Sequence, residues 1–178
     1  LILACILKAV DTHADLLRES AANVGNDHRL GAHEAPPAII SVFLGEQLDD
    51  VLEQLLSTGN ATHSLKGGKL HTGVRTLPDL PKDATDRNRT SPFAFNTNKF
   101  EFRMVGSRDS IAPSTVVMNT IVAEAFADAC EILEKAEDFD TALHDLMIQY
   151  LAEHHKIIYG GNGYADEWVA EAERRGLP

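Results

Sequence analysis

The stretch Lys99-Phe100-Glu101-Phe102-Arg103 is the part of the sequence that decides the fold. Charged and aromatic residues alternate along it, and successive side chains of a β-strand point to opposite faces of a sheet. We therefore predict a strand that packs Phe100 and Phe102 into a core and carries one carboxylate between two cations on its other face. Ser91-Pro92 upstream is typical of a turn, so this strand is expected to be one arm of a hairpin that brings Arg89 close.

The charged face of this strand has two interpretations. Ion pairs on exposed edge strands are common, and each contributes little stability. A carboxylate held between cations also suits a metal ion with phosphates, because Mg²⁺ prefers oxygen ligands and arginine can bind phosphate or carboxylate through two parallel hydrogen bonds. The residues alone leave both interpretations open.

Length and composition restrict the class of protein. The chain has 178 residues, of which 44% are hydrophobic and 24% charged, as expected for one globular domain. Its net charge of −11 and the lack of a basic stripe argue against general nucleic-acid binding. Cys5 and Cys130 both lie in apolar helical patterns, which predicts buried thiols in a reducing compartment.

The two ends of the sequence suggest a piece of a longer protein. Residues 1–7 start within an apolar helical pattern and are too few to cross a membrane. They also lack the features of a signal peptide, so we expect a cytoplasmic protein with no membrane partner. Residues 175–178 follow an expected helix cap. We predict one domain over residues 1–178, truncated at both ends.

Periodicity along the chain predicts both strands and helices. The helix over 116–135 is apolar on more than one face, which predicts a mostly buried helix behind a sheet. The expected order is a helix over 1–24, a polar loop over 26–37, a strand over 38–44, a helix over 46–56, an exposed excursion over 61–87, the hairpin, and helices over 116–135, 139–156 and 164–175, with a glycine-rich turn at 160–163.

Four motifs occur in a specific order along the chain. They are N-D-H-R-L-G-A-H-E-A-P-P-A-I-I at 26–40, D-R-N-R-T-S-P-F at 86–93, K-F-E-F-R at 99–103 and G-N-G-Y-A-D-E-W at 161–168. With these spacings, nearly the whole chain resembles glutamine synthetase, in its long type III form.

The resemblance implies roles for the charged residues around the hairpin. Glu101 is expected to bind one of the metal ions that hold the nucleotide phosphates. Arg103 is expected to engage the side-chain carboxylate of glutamate or the phosphoryl group that forms on it. Arg89 and Lys99 are expected to contact phosphates, and Arg89 also the γ-glutamyl phosphate.

The earlier polar loop matches the segment of the family that closes over the substrate. Arg29 corresponds to the arginine that holds glutamate, and Glu34 to the residue that shields the intermediate and takes a proton from ammonium. These two residues are one position closer here than in the commoner pattern, and His33 replaces a tyrosine.

A second departure concerns an arginine of the family pattern. Ala94 stands where an arginine commonly follows the N-R-[ST] motif by five residues. One phosphate contact must then come from another cation, for which Arg87 and Arg108 are the candidates.

The resemblance also implies the fold, activity and assembly. It implies an α+β fold, namely part of a catalytic domain with a curved, mostly antiparallel sheet backed by helices. It also implies Mg²⁺ or Mn²⁺ as metal, and homo-oligomeric rings with active sites between neighbours. The reaction is ATP-dependent ligation of ammonia to glutamate through γ-glutamyl phosphate, although the 178-residue piece alone is expected to be inactive. Two alternatives stay open, a ligase of the same fold with another amine acceptor and a catalytically silent scaffold or regulatory relative.

Overall fold

The computed structural model describes residues 1–32, 35–65, 68–70, 80–81, 91–96 and 98–178. Helices and short strands alternate in this part of the chain, so the α+β class is confirmed. The helices are α1 (Ile2–Thr12), α2 (Ala14–Glu19), α3 (Val24–Arg29), α4 (Glu46–Thr58), α5 (Ala112–Glu134), α6 (Phe139–His154) and α7 (Asp166–Arg175), with a 3₁₀ helix at His155–Ile157. The strands are β1 (Val42–Phe43), β2 (Lys69–Leu70), β3 (Leu80–Pro81), β4 (Phe93–Asn96) and β5 (Lys99–Phe102).

The hairpin predicted from the alternating stretch is confirmed. β4 and β5 pair antiparallel, with Phe93 opposite Phe102 and Ala94 opposite Glu101. β1 pairs parallel with β4 on the other side, which gives a three-stranded mixed sheet in the order β1-β4-β5. The sheet places β5 at its edge, so one side of the strand that carries Glu101 has no described strand beside it.

The aromatic face of the hairpin packs as the alternation predicts. The ring of Phe100 stacks on Phe93 with centroids 5.1 Å apart, and lies 4.9 Å from Phe95. Phe100 and Phe102 pack against the main hydrophobic cluster. Because the phenylalanine face is buried, the charged face must point away from the core. A shift of one residue in register would exchange the two faces.

The core joins this sheet to a layer of helices. α1 packs against α5 and α6, and α5 and α6 contact each other. Fully buried side chains from distant parts of the chain belong to this core, including Leu7, Ile40, Met104, Ile121 and Leu151. Met104 is the second residue after β5, so its burial anchors this end of the strand.

The N-terminal prediction of one helix over 1–24 is wrong in its boundaries. The helix breaks at His13, where φ is −116° and ψ is 29°, and it ends at Glu19. The start of the predicted loop is helical instead, because Asn23 caps α3 by accepting a hydrogen bond from the backbone of Asn26. Of the predicted strand over 38–44, only Val42–Phe43 forms β1.

The prediction that the long helix is mostly buried is also wrong. In α5 only Ser114, Ile121, Ala125 and Ala129 are buried. The helices that pack against it are α1, α2 and α6. Cys130 lies on its exposed side, whereas Cys5 is buried, so the expectation of two buried thiols holds for one of them.

The other helices agree with the periodicity. Gly59 ends α4 and Gly176 ends α7, both in the left-handed conformation that glycine adopts readily. In α7, Trp168 is buried and stacks on Tyr159 at 3.6 Å between ring centroids. Residues 160–163 form the connection that leads into this helix. Within the described part of the chain, no helix combines the length and hydrophobicity needed to cross a bilayer.

Most of the predicted excursion over 61–87 lies outside the described residues. Within it, residues 61–65 are exposed. Lys69–Leu70 pairs antiparallel with Leu80–Pro81 as a separate two-stranded sheet.

Candidate active site

The charged face of β5 forms one connected cluster around Glu101. Lys99 Nζ lies 2.9 Å from Glu101 Oε1, and Arg103 Nη2 lies 2.9 Å from Glu101 Oε2. Arg103 Nε also donates to Oε2 at 3.1 Å, so the guanidinium contacts this oxygen twice. The strand therefore presents a carboxylate between two cations, as the i, i+2, i+4 spacing predicts.

Asn96 completes this cluster and was missed by sequence reasoning. Its Nδ2 donates to Glu101 Oε2 at 3.2 Å from the neighbouring strand. Asn96 is opposite Lys99 in the antiparallel register, and residues opposite each other point to the same face. Assigning that register from the sequence would have placed it beside Glu101.

The cations determine the charge state of Glu101. Hydrogen bonds from Lys99 and then from Arg103 lower the pKa of the Glu101 carboxyl to about 2. The group is thus ionised throughout the neutral range. An exposed edge strand with ion pairs has the same local geometry, since Lys99 is 65% exposed. The geometry of this strand is therefore compatible with both interpretations.

Arg29 reaches the end of the same strand from α3. Its Nη2 donates to the backbone carbonyl of Met104 at 3.3 Å, and Met104 is the residue after Arg103. Its Nε and Nη2 also donate to Asn26 Oδ1, at 3.2 and 2.9 Å. The structure thus brings Arg29, which the motif assigns to glutamate, to the chain segment that carries Arg103.

The loop after β5 is fastened to α3 by a second contact. Asn23 Nδ2 donates to Asp109 Oδ2 at 2.6 Å. Gly106 lies between these parts, and a Cβ atom there would be 2.3 Å from Asp109 Oδ2. A side chain at position 106 would therefore require the Asp109 side chain to move.

Several predicted site residues lie outside the described residues, namely His33, Glu34, Arg87 and Arg89. Arg108 is described and exposed, and Ala94, where the family commonly has an arginine, is fully buried opposite Glu101. The described part of the candidate site therefore consists of Arg29, Lys99, Glu101 and Arg103, with Asn26 and Asn96 as the additional residues.

The ligand chemistry of this cluster suits a partial metal site. Glu101 offers an ionised carboxylate, which is the donor type that Mg²⁺ and Mn²⁺ prefer. Among the described residues, no three His, Cys, Asp or Glu side chains come together to hold a metal ion. The Glu101 carboxylate is thus chemically suited to be one metal ligand.

A second titratable carboxyl lies away from this cluster, at a groove between α4 and the 3₁₀ helix. Burial, and then the nearby charge of Glu46, raise the pKa of Asp49 to about 6. Its Oδ1 is buried and has no hydrogen-bond partner in the described part of the chain. The groove has a volume of about 450 Å³ and is lined by Asp49, Leu52, Glu53, Leu56, Ser57, His155 and Ile158.

Comparison with known proteins identifies the family. The family described as "Glutamine synthetase C-terminal domain" matches residues 142–178. The chain is 48% identical to the Type-3 glutamine synthetase of Dictyostelium discoideum, over 99% of this chain and 24% of that protein. It is 39% identical to a glutamine synthetase of Bacteroides fragilis (strain YCH46), over 97% of this chain and 24% of the relative.

A glutamine synthetase of Butyrivibrio fibrisolvens is 40% identical over 99% of this chain and 25% of its own length. The chain thus spans about a quarter of the length of the curated relatives it matches. Because these similarities extend over nearly all of its residues, the chain belongs to the glutamine synthetase family.

Proposed function

We propose that the intact protein ligates ammonia to glutamate at the expense of ATP. The observation that carries this proposal is the meeting of Arg29 with the strand of Lys99, Glu101 and Arg103, in a chain similar to glutamine synthetases over nearly its full length. The motif resemblance assigned these four residues to one site. If the ion pairs of this edge strand were incidental, there would be no reason to expect Arg29 beside the end of the same strand.

The reaction explains why cations should collect at this place. The γ-carboxylate of glutamate attacks the γ-phosphorus of ATP, so that ADP leaves and γ-glutamyl phosphate forms. Ammonia then attacks the acyl carbon, phosphate leaves, and one proton is lost from nitrogen. The first step brings two anions together, and one pair of opposite charges 4 Å apart contributes about 4 kcal/mol at an effective dielectric constant near 20.

Each residue has a part in this scheme. Arg29 and Arg103 bind glutamate, and Lys99 and Arg89 contact the phosphates. Glu101 would contribute one oxygen ligand to Mg²⁺ or Mn²⁺, which when bound would supply positive charge to offset the charge of the phosphoryl group.

Glu34 accepts the ammonium proton and shields the acyl phosphate from water. The roles of Glu34 and Arg89 rest on their motifs alone.

The proposal extends to the domain and the assembly. Residues 1–178 would form the C-terminal part of a catalytic domain whose curved, mostly antiparallel sheet is backed by helices, and the β1-β4-β5 sheet would be one portion of it. Residues 61–87 would be an exposed excursion. The intact protein would form cytoplasmic rings with active sites between neighbouring subunits.

The deciding experiment measures ADP release by the intact protein with glutamate, ATP and Mg²⁺, with and without ammonium. We expect release that requires both glutamate and ammonium. If ADP release requires a different amine, that amine rather than ammonia is the acceptor. No release with any amine would contradict catalysis and favour a silent scaffold or regulatory relative.

A further inference from the structure

Asn26 is a buried polar residue in a helix that is otherwise largely exposed. Its side chain lies in α3 and is 3% exposed. Its Nδ2 donates to the carbonyl oxygens of Ala21 and Met104, both at 2.8 Å, and its Oδ1 accepts from Arg29. One amide group therefore joins three separate parts of the chain.

The contact with Arg29 orients the guanidinium. Nε and Nη2 of Arg29 both face Asn26 Oδ1, and Nη2 also faces the Met104 carbonyl. In the described part of the chain, Nη1 makes no hydrogen bond. The half-buried guanidinium is thus held along one edge, while Nη1 is left to meet an anionic ligand.

The position of Met104 makes this arrangement rigid. The Met104 side chain is 1% exposed and belongs to the main core, so its backbone cannot turn easily. Asn26 and Arg29 both donate to its carbonyl oxygen. The residue before it is Arg103, whose guanidinium contacts Glu101. The amide of Asn26 therefore connects the Arg29 side chain to the end of the strand that carries Arg103.

We propose that Asn26 is a positioning residue, which holds Arg29 beside the end of the strand that carries Arg103, so that both arginines can engage the substrate glutamate. It acts through Arg29 and does not touch the substrate. The inference rests on the proposed function, since it takes glutamate as the ligand of the two arginines. The motifs assign no role to Asn26, and its role here is to orient the Arg29 guanidinium.

The test compares Asn26→Ala with Asn23→Ala in the intact protein. Asn26→Ala removes the acceptor for Arg29. Asn23→Ala removes the cap of the same helix and the bond to Asp109, but leaves the side chain of Asn26 in place. Any general weakening of α3 should appear in both variants.

We expect Asn26→Ala to raise KM for glutamate by about tenfold or more, as for the loss of hydrogen bonds to a charged group. KM for ATP should stay near the wild-type value, and Asn23→Ala should change neither constant comparably. An equal effect of the two variants on KM for glutamate would overturn the inference. If Asn26→Ala does not assemble, Asn26→Ser takes its place, because its shorter hydroxyl can serve one carbonyl but cannot reach Arg29.

A structural readout separates this inference from the proposed function. If the wild type shows no glutamate-dependent ADP release, the proposed function fails, but crystal structures of wild type and Asn26→Ala still decide the role of Asn26. The inference stands if the Arg29 guanidinium leaves the Met104 carbonyl in the variant. It is overturned if the guanidinium keeps its wild-type position.

Discussion

At the scale of single residues, Glu101 and Glu171 provide a natural comparison. Each carboxylate accepts hydrogen bonds from two cationic side chains, and the pKa of each is lowered to about 2. Glu101 lies in the candidate site, whereas Glu171 pairs with Arg174 and Arg175 on α7. Electrostatics alone therefore does not distinguish a metal ligand from a surface ion pair.

Substitution should separate the two glutamates. We expect Glu101→Gln to abolish ADP release by the intact protein, because a neutral amide is a much poorer ligand for a divalent metal than a carboxylate. Glu171→Gln should leave release close to wild type. Turnover by Glu101→Gln that matches Glu171→Gln would contradict the assignment of Glu101 as a metal ligand.

The titration of Glu101 should depend on Lys99. In Lys99→Gln, we expect the pKa of Glu101 to rise from about 2, since the largest cause of its lowering is lost. Because the folded-state pKa is lowered, the ion pairs stabilise the fold above pH 4.5 and lose this effect as the pH falls toward 2. The carboxyl-carbon NMR resonance of Glu101 reports the change, with Glu171 as the unchanged internal reference.

Asp49 should show the opposite pH dependence. Its folded-state pKa is raised from 3.8 to about 6, so the folded protein is penalised as the pH rises through this interval. We expect Asp49→Asn to raise the free energy of unfolding above pH 7 by about 1–2 kcal/mol, after allowance for solvent screening. Chemical denaturation of both proteins at pH 7.5 and at a pH near 4 measures this difference in the free energy of unfolding. The difference should vanish at the lower pH.

The control for this prediction is Glu53→Gln, which removes a charge from the exposed side of the same groove and helix. An equal gain in both variants would mean that net charge, rather than the burial of Asp49, is responsible.

At the scale of elements, the aromatic face of the hairpin should carry much of its stability. We expect Phe100→Ala to lower the free energy of unfolding by about 2–4 kcal/mol, because it removes two ring contacts and packing against the core. Phe139→Ala is the matched control, since Phe139 is 55% exposed at the start of α6. Chemical denaturation that gave equal losses would contradict the packing role of the hairpin.

The elements also differ in how far the sequence predicted them. The hairpin was predictable because an alternating pattern has only one way to bury Phe100 and Phe102. α3 was missed because its six residues form a helix only with the cap from Asn23 and the tertiary contacts of Asn26. The exposure of α5 was missed because apolar composition does not tell which side of a helix a neighbour covers.

The candidate site was predictable in part for a similar reason. Lys99, Glu101 and Arg103 follow from strand periodicity, which is local. The approach of Arg29 to Met104 joins positions 75 residues apart, so no spacing rule reports it, and only the motif resemblance pointed to it. Asn26 was missed although it begins the motif at 26–40, because an asparagine in a polar segment resembles any loop residue.

At the scale of the whole molecule, the two cysteines differ in solvent accessibility. Cys5 is buried and its pKa is raised by burial, whereas Cys130 is exposed on α5. We expect an alkylating reagent to modify Cys130 in the native chain and Cys5 only after unfolding, because the thiolate is the reactive form and needs access to the reagent. Peptide mapping by mass spectrometry distinguishes them, and rapid native modification of Cys5 would contradict the packing of α1.

The parallel pairing of β1 with β4 has a further consequence for the evolution of this chain. Val42 pairs with Phe93, so this contact closes a loop of about fifty residues. The entropy lost on closing such a loop grows only with the logarithm of its length, and doubling it costs about 0.6 kcal/mol. Insertions and deletions can therefore accumulate between α4 and β4 over generations while the charged face of the hairpin keeps its place.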